Sequence, residues 1–127
     1  MKAEPGNVEY RTQLGAALAA ANQPDRAIAE LTTVTSAPGY QRADGWIYLG
    51  QAQLLAKKYK DAIGSLDKAA AAAPNNVQVE TFLAWSYFGL KDSKNFVDHG
   101  RKAKALGQKD ATLLGYLTRI EAGEAIK

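Results

Sequence analysis

Apolar and small side chains recur along this chain at three- and four-residue intervals, in blocks of about four turns separated by short polar breaks. Trp46, Leu49 and Gly50 fall on one helical face, and Ala62, Leu66 and Ala69 fall on another, at the i, i+3, i+4 and i+7 spacings of a buried helical stripe. Leu113, Leu114, Leu117 and Ile120 repeat the pattern in the last block. The spacing predicts seven helices, over 8–21, 24–37, 43–56, 59–72, 77–90, 93–106 and 111–125, and an all-α fold. Alanine dominates the apolar residues and β-branched runs are scarce, which also favours helices over strands.

The breaks carry their own signals. Pro24 suits the first turn of a helix, where its missing N–H costs nothing. Pro74 stops the helix before it. Asp110 is a favoured N-cap type for the last helix. Gly50 and Ala62 are small enough to let two helices approach closely, while Trp46 and Leu49 supply buried area.

The order Trp46, Leu49, Gly50, Ala62, Leu66, Ala69, Pro74 within residues 43–76 resembles the 34-residue tetratricopeptide repeat (TPR), a helix–turn–helix unit. Gln53 stands where the family prefers Tyr, and Leu66 where it prefers Phe. Residues 8–42 form a first unit in which Leu14, Gly15, Ala27 and Leu31 match Leu49, Gly50, Ala62 and Leu66. Arg11 takes the place of Trp46, which suggests a less buried first helix. This unit is one residue longer, and the extra residue is expected in the Ala37-Pro38-Gly39-Tyr40 turn.

Residues 77–110 form a third unit that keeps Leu83, Ala84, Tyr87 and Ala103. Phe96 and Gly100 replace the Ala62 and Leu66 positions, a volume-conserving exchange within one interface. Residues 111–126 would cap the array, as terminal elements of solenoids must. Residues 3–7 read as the end of a preceding repeat, with Pro5 in the slot of Pro74, so Met1 and Lys2 would open a piece of a longer array. The alanine-rich composition suggests a bacterial source. The resemblance spans residues 1–127 as one TPR domain. It implies a right-handed α-solenoid whose first helices line a concave face.

Composition removes several chemistries. There is no cysteine, and His99 is the only histidine, so neither a thiolate nor a histidine metal cluster is available. Phosphate-loop, dinucleotide-binding and H-E-x-x-H motifs are absent, and no carboxylate pair stands in an acid–base pattern. A non-enzymatic protein without a cofactor is expected. No apolar run approaches the roughly 20 residues of a membrane span, and the opening MKAEPGN lacks the apolar stretch of a signal peptide. The net charge of +3 is carried by residues 93–106, on the expected outer layer. Helical-repeat readers of RNA use polar inner helices, whereas this inner face is aromatic, so no nucleic-acid partner is expected.

The remaining pattern is an aromatic stripe. Tyr48, Phe82 and Tyr116 recur at the repeat interval on first helices. By the family resemblance, such positions line the groove that contacts peptides. The candidate partner-binding residues are Ile47, Tyr48, Gln51, Leu54, Phe82, Trp85, Phe88, Tyr116 and Arg119. For Tyr48, Phe82 and Tyr116, packing between neighbouring first helices is an equal alternative. Ile47, Trp85 and Phe88 stand beside Leu49, Leu83 and Tyr87, which already occupy the expected core faces. The Lys, Arg and Asn clamp with which some family members hold chaperone tails is missing, since Thr12, Ala16, Tyr48, Gln78 and Phe82 take its places. The expected partner is therefore an apolar segment or amphipathic helix of another protein. A self-assembly module and a regulatory or targeting segment of a larger protein are the alternatives.

Overall fold

The computed structural model describes residues 7–127; the expectation for Pro5 as the end of a preceding repeat lies outside them. The described residues form seven helices and no strand: α1 Val8–Ala20, α2 Pro24–Thr35, α3 Ala43–Leu55, α4 Tyr59–Ala72, α5 Val77–Gly89, α6 Ser93–Ala105 and α7 Ala111–Glu121. First helices begin at 8, 43, 77 and 111, and second helices at 24, 59 and 93. The longer interval lies between the starts of α2 and α3. There Gly39 adopts a left-handed φ of 76° and the Tyr40 N–H donates to the Ala37 carbonyl at 3.1 Å. The extra residue thus sits in the expected turn.

Side-chain caps start four of the helices: Asn7, Asn76, Asp92 and Asp110 accept from backbone N–H groups of α1, α5, α6 and α7. Pro24 opens α2. The turns after α1, α3 and α5 place Asn22, Lys57 and Lys91 at φ of 57°, 61° and 60°, each followed by a 6→1 bond back into the helix, the Schellman closure. The last helix ends four residues earlier than its apolar spacing suggested. Gly123, at φ 105°, turns the chain, and the Glu124 N–H closes on the Arg119 carbonyl at 3.1 Å.

Successive first helices pack side by side, α1 on α3 and α3 on α5, while the Cα atoms of α2 and α4, and of α4 and α6, come nowhere within 8 Å of one another. First helices therefore form a tight inner layer, and second helices splay on the outside. The inner layer changes at its end. α7 packs on α6, but its Cα atoms stay beyond 8 Å from those of α5.

Each helix pair closes over a stripe from its second helix. Ala27, Leu31 and Val34, then Ala62, Leu66 and Ala69, then Phe96 and Ala103 are all essentially inaccessible. The approach is so close that a Cβ on Gly15 would lie 2.4 Å from Leu31 Cγ, and one on Gly50 2.5 Å from Leu66 Cγ. In the third pair Ala84 occupies the Gly50 position and Gly100 the Leu66 position. Fully buried Phe96 replaces Ala62, and the Leu117 side chain of α7 comes to 3.1 Å from where a Gly100 Cβ would stand. The exchange conserves volume, with α7 contributing part of it.

One position ties first to second helix in different chemical ways. Arg11, in the place of Trp46, is half-buried and paired with Glu30 at 3.1 Å. In the middle pair Trp46 lies under the Lys68 ammonium, 4.8 Å from the ring centre. In the third, Glu80 meets His99 Nδ1 at 2.7 Å, and the His99 ring stacks on Tyr87 at 5.4 Å and 6°. The sole histidine is thus held on two sides by the packing of α5 on α6.

The start of α3 has no side-chain cap from its own N-cap residue. Instead the Tyr40 hydroxyl accepts from the Gly45 N–H at 2.8 Å and donates to Asp44 Oδ1 at 2.9 Å. Gly45 leaves the room, since a Cβ there would lie 2.3 Å from that hydroxyl. Burial, then the bond to Asp44, pushes the Tyr40 phenol up to about 12.

Gly50→Ala is expected to destabilise the fold by about 1–3 kcal/mol, the usual cost of overpacking a full core. Gly115→Ala, on an exposed face of α7 with open space around it, is expected to stabilise by up to about 1 kcal/mol through helix propensity. Urea unfolding of both variants checks the contrast. Tyr40 in the folded state keeps its proton above the ordinary phenol range of about 10. Between the two values the native state binds a proton that the unfolded chain has lost, so stability should fall as pH rises from 10 towards 12. The phenolate absorbance titration of the protein minus that of Tyr40→Phe should show one step near the upper value. A step near 10 would place the hydroxyl in free solvent.

Candidate functional site

Where the α5 and α7 backbones stand apart, four aromatic rings fill the space between them. Trp85 and Phe88, on successive turns of α5, meet edge to face at 5.4 Å. Tyr116 of α7 closes on Phe88 at 4.8 Å and on Trp85 at 6.1 Å. Phe96 of α6 forms the floor, 5.4 Å from Phe88 and 6.2 Å from Trp85. Edge-to-face and tilted pairs at these separations add to the stabilisation from burial alone, so the cluster is a built wedge. The third pair supplies it because Phe96 stands where the other pairs have alanine.

The wedge opens onto a cleft of about 480 Å³ lined by Phe88, Tyr116, Arg119, Ile120, Glu124 and residues 125–127. Tyr116 is 36% exposed, and Trp85 and Phe88 are half-buried. Arg119 stands at the rim with its guanidinium 5.7 Å from the Tyr116 ring centre and its Nε 2.6 Å from Glu124 Oε2. The floor is therefore aromatic and the rim charged. Among the described residues, no three His, Cys, Asp or Glu side chains converge as metal ligands.

No protein-family model and no curated relative matches the chain. Solved structures do. The TPR domain of OM64 from Arabidopsis superposes with a TM-score of 0.84 at 19% identity, covering 92% of this chain and 96% of that one. The first TPR domain of human RPAP3 gives 0.79 at 16%, covering 94% and 93%. MamA from Desulfovibrio magneticus RS-1 gives 0.80 at 24%, covering 92% of this chain and 66% of that one.

The chain has the fold of a TPR solenoid. The all-α architecture expected from the repeat pattern is the one found. Within this solenoid the nine candidate residues separate into two groups. Trp85, Phe88, Tyr116 and Arg119 converge at the α5–α7 seam. Ile47, expected on the groove surface, is instead only 8% exposed and belongs to the second core with Leu66, Val79 and Leu83. The inner layer is tight there, so the side chain beside Leu49 is enclosed between α3 and α5 rather than presented. Leu54 and Phe82 pack partly buried against the same core, and Tyr48 against the first. Gln51 is half-buried.

Ile120, Glu124 and Ile126 also line the cleft, and sequence reading assigned them no site role. The signal was Gly123, a helix stop placed inside the stretch read as helix to 125.

The division predicts different costs on truncation. Ile47→Ala removes core volume and should lower stability by about 2–4 kcal/mol. Tyr116→Ala, at the lip of an open cleft, should cost about half as much or less. Chemical unfolding of the two variants checks this, and equal losses would place Tyr116 in the core.

Proposed function

We propose that this TPR solenoid is a non-enzymatic scaffold that holds an apolar or amphipathic segment of a protein partner on its inner face, at the α5–α7 seam. The observation that carries the reading is the partly exposed cluster of Trp85, Phe88 and Tyr116 beside an open cleft, in an inner layer that is otherwise closed by direct helix packing. Aromatic side chains bring large contact area with little rotamer freedom to lose, and they dominate the energetics of protein interfaces. Phe96 packs directly against Trp85 and Phe88, so the face is formed before a partner arrives. Preformed faces spend less binding free energy on ordering. Each Å² of apolar partner surface removed from water here would contribute about 25 cal/mol. The exposed cations of α6 line no part of this cleft.

The reading is tested with a phage-displayed random-peptide library panned against the immobilised chain. Selected peptides should be rich in aromatic and aliphatic residues. Trp85→Ala or Tyr116→Ala should weaken them by about tenfold or more, the 1.4 kcal/mol scale of one interface anchor, with the helical circular dichroism retained. Peptides indifferent to both substitutions would contradict the seam as the site. A mass that rises with concentration and reverts on Tyr116→Ala would replace the partner with a second copy.

A further inference from the structure

The cleft at the seam is partly lined by residues 124–127. Gly123 reverses the chain at φ 105°, a backbone conformation that suits glycine and strains other residues. After the reversal, Glu124 pairs with Arg119, and the half-buried Ile126 packs against the third core, the cluster that also takes Phe88. Ile126 lies in no helix, and an aliphatic side chain there buries itself against the same surface that the scaffold reading assigns to a partner. The ion pair is exposed on both sides, with Arg119 63% and Glu124 54% accessible, so solvent screens it. One screened ion pair and one aliphatic side chain make a contact that a competing segment can displace.

We infer that residues 123–127 form a displaceable wall of the α5–α7 cleft, seated on the third core through Ile126, and that partner segments bind by taking their place. This wall also shows what the surface accepts: a carboxylate that meets Arg119, followed two residues later by an aliphatic side chain against the third core. The partner class is therefore a protein segment with that acidic-x-aliphatic arrangement. This rests on the scaffold reading above and adds its specificity and its regulation. A segment seated there nine-tenths of the time would weaken apparent affinity about tenfold, because only the displaced fraction binds.

The test uses the full 127-residue chain carrying Trp46→Phe, so that Trp85 alone reports, and the same chain with Ile126→Asp or with Gly123→Ala. The probes are the synthetic peptide EAGEAIK, which copies residues 121–127, its counterpart EAGEADK, and the display-selected peptides. EAGEAIK is expected to shift Trp85 emission saturably with the Ile126→Asp and Gly123→Ala chains. It should bind the chain with the intact segment about tenfold more weakly. EAGEADK should bind none of them, and Arg119→Ala should weaken EAGEAIK in the Ile126→Asp background. Equal affinity for chains with intact and altered segments, or equal binding of EAGEADK, overturns the inference. If selected peptides meanwhile still depend on Trp85 and Tyr116, the scaffold reading stands without it. If no probe perturbs Trp85 in any chain, both fail together.

Discussion

Everything in this solenoid depends on how closely the first helix of each pair can approach the second. Gly15 against Leu31 and Gly50 against Leu66 set that distance, and neither pair leaves room for a methyl group. With backbones this near, the leucine is enclosed completely, and dispersion contacts accumulate on every side of it. The same proximity aligns each pair to receive the next, so the tight inner layer from α1 to α5 is a consequence of two glycines. Charge has a lesser part. The tie between helices is Arg11 with Glu30 in one pair and Glu80 with His99 in another, and a tryptophan holds the place between them.

The third pair departs from this rule, and the departure makes the site. Ala84 and Gly100 invert the glycine–leucine contact, Phe96 enters the core, and Leu117 of α7 fills the remaining space. A large ring at Phe96 needs ring partners, and Trp85, Phe88 and Tyr116 supply them. These rings keep α5 and α7 apart. The buried ring at Phe96, directly beneath these side chains, thereby goes with an opening at the seam, with Arg119 and Glu124 at its rim.

Most of the architecture was legible in the sequence because it rests on short-range patterns. The glycine–leucine spacing, the inserted residue before α3, the proline at the start of α2 and the cap at Asp110 are each local, and each appears where it was expected. The exchange at Phe96 and Gly100 was also readable, since it is a matter of volume. The site was legible only in part. A stripe at the repeat interval shows which residues share a face, but not how far apart the helices carrying them stand. Ile47 and Trp85 both looked like groove residues, and the helix spacing alone buries the first and half-exposes the second. The fold-back of Ile126 was not legible, because it depends on one glycine turn and on a cleft whose existence follows from long-range packing.

Trp85 offers the most direct test of the seam as an aromatic face distinct from the rest of the stripe. Acrylamide quenching of a Trp46→Phe chain, measured with and without Tyr116→Ala and Tyr48→Ala, isolates it. The packing predicts partial quenching of Trp85 in the parent, a clear increase when Tyr116 is removed from its edge, and no change when Tyr48 is removed. A Trp85 that is fully protected in all three chains, or one that responds equally to both substitutions, would contradict the seam as a separate, open face.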